Sequence, residues 1–178
     1  MIVVTGLRSG TSLVMQTLKE LGVSIIGKKF HKEFPHVELN PKGYYDLPLA
    51  DTFNGVNTYR YKGKAIKISG GALLKTEPKY ISKIIWCQRN RKQCVKSIMK
   101  LLKANYEEYR VEPDEKIATY IHCLNENFIK LYLAKTKKEY VAIDYGKMLD
   151  NPVKEITKIK DFMKLNCSIT SAIKNVGV

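Results

Sequence analysis

Apolar residues fall into two kinds of pattern, and the two alternate along the chain. Short stretches rich in apolar residues occupy 2–5, 23–26, 64–69, 81–88 and 140–144. Each is too short for a helix of ordinary length and reads as a buried strand. Between them lie stripes at helical spacing. Leu13, Val14, Thr17, Leu18 and Leu21 share one face of a first helix, and Gly22 is placed to end it. Val95, Ile98, Met99 and Leu102 repeat at i, i+3, i+4 and i+7. After Pro113 a long helix carries Ile117, Ile121, Leu124, Phe128, Leu131 and Tyr132 on its expected buried stripe. Asn151 and Pro152 suit the N-cap and first turn of a final helix that turns Ile156, Ile159 and Met163 inward. A short helix is expected at 48–57, and Gly70-Gly71 reads as a turn. Residues 27–47 have no period; so long a connection favours a functional role. Residues 168–178 are small and polar and are expected to fray.

Strands alternating with helices predict an α/β fold, with a parallel sheet of about five strands covered on both faces in three αβα layers. In such sheets ligands bind outside the carboxyl ends of the strands. Residues 6–12, Ser69 with Gly70-Gly71, Arg89, and Asp144 with Tyr145 all follow strand ends. Far apart in sequence, they converge on one edge.

The 178 residues make one domain, 1–178, large enough for a core. The net charge of +14 favours anionic ligands. Charge alone does not separate a nucleotide from a nucleic acid. Cys87, Cys94, Cys123 and Cys167 have no metal-ligand spacing and read as reduced, structural thiols of a cytoplasmic protein. The chain opens on strand residues, with no signal peptide expected. No apolar run reaches the ~18–20 residues of a membrane span.

The most specific chemistry lies where the first strand enters the first helix, at Gly6-Leu7-Arg8-Ser9-Gly10-Thr11-Ser12. Two glycines allow a tight turn and close approach of a ligand to the backbone. The free N–H groups of the helix start, backed by the helix dipole, favour an anion. Arg8, Ser9, Thr11 and Ser12 add donors. A Walker A loop would carry Gly-Lys before the hydroxyl residue, whereas this chain has Gly10-Thr11.

Two further stretches complete a family resemblance. One is Ile84-Ile85-Trp86-Cys87-Gln88-Arg89-Asn90-Arg91, followed by Ser97; the other is Asn40-Pro41-Lys42-Gly43-Tyr44-Tyr45-Asp46. With the first loop, these resemble the sulfotransferases that use 3′-phosphoadenosine 5′-phosphosulfate (PAPS). The segment from Tyr145 to Leu165, with Asp150-Asn151-Pro152, is similar to that family's last strand-loop-helix. The resemblance implies the P-loop-like sulfotransferase fold and transfer of a sulfuryl group from PAPS to a hydroxyl or amine, releasing 3′-phosphoadenosine 5′-phosphate (PAP) without a metal. It assigns the 5′-phosphosulfate to Gly6, Arg8, Ser9, Gly10, Thr11 and Ser12, and the 3′-phosphate to Arg89 and Ser97. Arg8 stands where some members carry a Lys on the bridging oxygen, and Lys67 matches a strand-end Lys common in bacterial-type members. For the general base the candidates are Asp46, Glu33, His31 and His36, with Asp46 first. The Arg-Lys-Gly segment found near the end of cytosolic members is missing from Ala172-Ile173-Lys174-Asn175-Val176-Gly177.

The expected partner is a small-molecule or carbohydrate acceptor. Two other functions share parts of the pattern. A small P-loop kinase would use the same sheet and anion loop, but with a loop Lys and a magnesium-binding acid. A basic nucleic-acid or anion-binding module would need a continuous basic face.

Overall fold

The computed structural model describes residues 1–29, 40, 43–47, 55–106, 110 and 112–176. Four strands form one parallel sheet: β1 (Ile2–Thr5), β2 (Ala65–Ile68), β3 (Lys83–Gln88) and β4 (Tyr140–Asp144). Their spatial order is β2-β1-β3-β4. Thr5 lies opposite both Ile68 and Trp86, and Gln88 lies opposite Asp144, so β1 and β2 end together and β3 and β4 run two residues further. Seven helices are described: α1 (Thr11–Glu20), α2 (Gly70–Lys75), α3 (Arg91–Ala104), α4 (Glu115–Thr136), α5 (Tyr145–Asp150), α6 (Pro152–Met163) and α7 (Thr170–Val176). None is long and apolar enough to cross a membrane.

Side-chain alternation along the strands divides the core. Val4, Ile85, Cys87 and Ile143 face α1, α6 and α7 through Val14, Met15, Leu18, Ile156, Ile159 and Ala172. Val3, Ile66, Ile68, Ile84 and Trp86 face α2 and α4 through Leu73, Ile129 and Tyr132. Both faces of the strands are apolar, as a parallel sheet covered on both sides requires. A smaller cluster joins Val95, Ile98 and Leu102 of α3 to Ala118 of α4.

Four expectations need correction. The fifth strand, at 23–26, shrinks to a single bridge: Ile25 pairs parallel with Ala65. The Ile26 N–H reaches the Ala65 carbonyl at 2.8 Å, and Gly27 then turns away at φ 124°. The two glycines after β2 are the first turn of α2, capped by Ser69, rather than a free turn. The stripe on α4 is rotated: Ala118, His122, Asn125, Ile129, Tyr132 and Leu133 are buried, while Ile117 and Leu131 are 40% and 54% exposed. Apolar residues lie all round this helix, so the sequence period leaves its phase open. Finally, residues 170–176 do not fray; Ala172 and Val176 pack into the core beside α1. Of the expected helix at 48–57, residues 48–54 lie outside the described residues, and 55–57 are not helical.

Candidate functional site

β1 is central, and the chain leaves it for β2 on one side before β3 returns on the other. The carboxyl ends of β1 and β3 therefore flank the switch point, where open α/β sheets hold their ligands. The loop between β1 and α1 sits there. Gly6 has φ 129°, and a Cβ on it would lie 2.3 Å from Ser9 Oγ and 2.5 Å from the Cys87 carbonyl oxygen. Gly10 has φ 90°, and its Cβ would lie 2.2 Å from the Tyr145 ring. Both the backbone hand and the close approach demand glycine at these two places.

Gly10 is also the N-cap of α1, and no side chain caps the helix. The first-turn N–H groups, with the positive end of the helix dipole, thus remain available to an anion. Ser9 Oγ, fully buried, has no partner among the described residues.

Arg8 adopts φ 54°, an unfavourable hand for a residue with a side chain. Contacts with α3 and its approach hold it there. Its Nε donates to Ser97 Oγ at 2.9 Å, and its carbonyl oxygen accepts a long 3.5 Å contact from Arg89. Arg89 follows β3 directly. Its Nε donates to Gln93 Oε1 at 3.0 Å, and its guanidinium stacks 4.4 Å above the Tyr145 ring. The cation–ring contact and the Gln93 bond orient the guanidinium. Arg8, Arg89 and Ser97 are brought together, but in a pairing the spacing does not reveal: Ser97 bonds Arg8.

A second cluster lies beside the first turn of α1. Lys67 of β2 is nearly buried; its Nζ meets Asp46 Oδ1 at 2.9 Å and Ser12 Oγ at 3.2 Å, and it also donates to the Tyr44 carbonyl. Ser12 Oγ in turn donates to the Tyr44 carbonyl at 3.1 Å. Burial pushes the Lys67 pKa below its ordinary value; Asp46 opposes that shift and the Arg8 charge adds to it. Asp46 is held in place by backbone pairing, its carbonyl accepting from Lys28 N–H at 3.2 Å, while Tyr44 N–H reaches Lys29. Tyr44, Tyr45 and Leu47 are buried. Glu33, His31 and His36 lie outside the described residues, as do Pro41 and Lys42.

The thiols near the site are unreactive by environment. Burial raises the Cys87 pKa far above the thiol range and pushes Cys94 up to about 11, the latter partly offset by Arg89. Among the described residues no group of three His, Cys, Asp or Glu side chains could hold a metal ion.

Two contributors, Tyr145 and Gln93, escaped the sequence reading of this site. Tyr145 was visible only as a strand-end residue, and its stacking on Arg89 is a tertiary fact. Gln93 sits at i+4 from Arg89, a spacing that does signal helical or near-helical contact. Trp86, His122 and Thr5 are buried, and His122 Nδ1 and Thr5 Oγ1 have no hydrogen-bond partner among the described residues. Glu126 lies near Trp86 and His122, with its carboxyl pKa raised by burial.

Compared with family models and with curated proteins, the chain matches none.

Proposed function

We propose that this protein is a PAPS-dependent sulfotransferase with the P-loop-like sulfotransferase fold. The observation that carries the reading is one constellation: an α1 N-terminus left uncapped at Gly10, with Arg8 joined to Ser97 and in contact with Arg89 beside it. An uncapped helix start suits one oxyanion, and two fixed guanidinium groups beside it suit a nucleotide with phosphate-type groups at two positions. The glycine cradle, the partnerless Ser9 hydroxyl and the cationic surroundings are compatible with such a ligand.

Bound PAPS supplies a sulfuryl group that passes to an acceptor oxygen or nitrogen as its bond to the phosphate oxygen breaks and PAP leaves with that electron pair. The first-turn N–H groups of α1, with Gly6, Ser9, Gly10, Thr11 and Ser12, hold the phosphosulfate end. Arg89 and Ser97 hold the 3′-phosphate. Arg8 is the cation for charge developing on the departing oxygen, electrostatic work that a fixed guanidinium does without giving up a proton. Lys67 adds positive charge next to Ser12, 3.2 Å away. Asp46, paired with Lys67, takes the proton of the acceptor. The acceptor is a small molecule or carbohydrate.

The reading is tested by calorimetric titration with PAP and with adenosine 5′-phosphosulfate, both with EDTA. PAP is expected to bind more tightly, because only PAP carries the 3′-phosphate. Arg89→Ala is expected to weaken PAP by about 2 kcal/mol or more and to erase that preference. Equal affinity of the unaltered protein for the two nucleotides would remove the 3′-phosphate assignment.

A further inference from the structure

Sequence period and burial disagree on α4, and the disagreement leaves an apolar row on the surface. Ile117, Leu124 and Leu131 stand at successive heptad positions, with Tyr120 one turn after Ile117. At about 100° per residue these four fall within an arc of about 60°, and they span about 21 Å of helix. Ile117, Tyr120 and Leu131 are 40%, 66% and 54% exposed, and Leu124 is partly buried. The side turned to the core carries Ala118, His122, Asn125 and Ile129 instead. A heptad row of apolar residues is the seam along which one helix packs on another. Exposed as they are, Ile117, Tyr120 and Leu131 have no such helix over them among the described residues.

Two features choose the occupant. The row is symmetric about Leu124, with Ile117 and Leu131 at equal distances on either side. The two ends of the helix are also oppositely charged. Residues 112–116 hold Glu112, Asp114 and Glu115 against Lys116 alone, whereas residues 130–137 hold Lys130, Lys135 and Lys137 and no acid. An antiparallel copy of the helix sets each acidic end beside a basic end and opposes the two helix dipoles; a parallel copy puts like ends together. We propose that α4 is the interface of a homodimer, in which two copies pack these rows antiparallel about a two-fold axis near Leu124. Ile117 of each copy then lies beside Leu131 of the other. The interface is isologous, one row meeting itself, and it buries the side chains that the helical period marks as inward. A single helix pair is at the small end of specific interfaces, so the dimer is reversible. A membrane surface is the lesser fit, because a helix lying on lipid carries basic residues along its polar face, and one end here is acidic.

The test is sedimentation velocity of the whole chain over a concentration series from about 1 to 200 µM, a range that spans weak, reversible association. The unaltered protein is expected to pass from monomer to dimer. Tyr120→Glu/Leu131→Glu, at two exposed positions, is expected to weaken the dimer at least about tenfold, with the far-ultraviolet circular dichroism of the dilute chain unchanged. The direction of pairing is read from two charge variants at low salt, Glu112→Lys/Glu115→Lys and Lys135→Glu/Lys137→Glu. Each alone is expected to dimerise about threefold or more weakly, and an equal mixture to pair as tightly as the unaltered chain, because only the mixed dimer sets opposite charges at both ends. A monomer at every concentration, or a dimer that Tyr120→Glu/Leu131→Glu leaves intact, overturns the proposal. So does a mixture that pairs no better than either charge variant alone. A chain that stays monomeric but floats with vesicles of phosphatidylserine and phosphatidylcholine, and loses them in Tyr120→Glu/Leu131→Glu, assigns the row to a membrane surface and overturns it as well.

Discussion

Gly10 is the residue at which the site tolerates least change, because two demands meet there. Its φ of 90° disfavours any side chain, and a Cβ would lie 2.2 Å from the Tyr145 ring. Gly22 meets only the first demand: φ is 84° with nothing within 4 Å. Gly10→Ala is therefore expected to cost about 2–4 kcal/mol and Gly22→Ala about 1 kcal/mol, read as shifts in urea midpoint. Similar losses would remove the close packing of Tyr145 on the loop from the account. Arg8→Ala should slow release of PAP from PAPS by about a hundredfold while changing PAP affinity much less, since charge stabilisation grows toward the transition state. Undiminished turnover would take Arg8 out of the mechanism. The cysteines give a check at the same scale. Cys87 and Cys94 are buried with raised pKa, whereas Cys123 and Cys167 are partly exposed. A thiol reagent at about pH 8 should label the latter pair quickly and the former only on unfolding, because the thiolate is the reactive form. Lys67 carries a pH signature. Its folded pKa lies below 10.5, so between that lowered value and 10.5 the unfolded chain holds a proton that the folded chain lacks. The Lys67 contribution to stability thus rises with pH through that window. The raised thiols act oppositely, so the signature is the difference between the unaltered protein and Lys67→Met. A difference that does not change with pH would contradict it.

At the scale of elements, the local patterns were strong where a run of apolar residues met a breaker. The β1-loop-α1 unit was legible because Ile2 to Thr5, two glycines and a helical stripe leave little alternative. β4 was equally clear. The failures have physical reasons. Ser24 and Ile26 have strand-like neighbours, but only one bridge forms at the β2 edge before Gly27 diverts the chain. Leu131 and Ile117 were expected inside; the helix instead buries His122 and Asn125, and Asn125 accepts from the Gly70 N–H at 2.7 Å. A tertiary hydrogen bond to the start of another helix has no sequence period. The pairs Arg8–Ser97 and Lys67–Asp46 were each legible as members of a site, yet who bonds whom depended on packing. One element ties the fold to the site: Glu155 of α6, fully buried, accepts from the Asp144 N–H at 3.2 Å just before Tyr145. Glu155→Ala is expected to destabilise the protein by about 1–3 kcal/mol, leaving that part-buried donor without its acceptor. An unchanged urea midpoint would show that this bond does not hold the junction.

Over the whole molecule, the sheet order brings the ends of β1 and β3 together, with α1, α3 and α5 supplying Gly10, Ser97 and Tyr145 around them. Those residues share one place because the four parallel strands all end on one edge of the sheet, β3 and β4 two residues beyond β1 and β2. The three-layer arrangement was legible from the alternation of strands and helices. The acceptor side was not, because hydroxyl acceptors demand no fixed residue pattern. The central claim is that the uncapped α1 start and the two arginines form a metal-independent site for a nucleotide with anions at two positions. Thermal unfolding tests it most directly, comparing PAP with EDTA against ATP with magnesium at equal concentration. A ligand held only by the folded chain stabilises it by mass action, by about 2.7 kcal/mol at a hundred times its dissociation constant. The account predicts a raised midpoint with PAP and EDTA, and a smaller shift with ATP and magnesium. A midpoint raised by ATP and magnesium but not by PAP would contradict it.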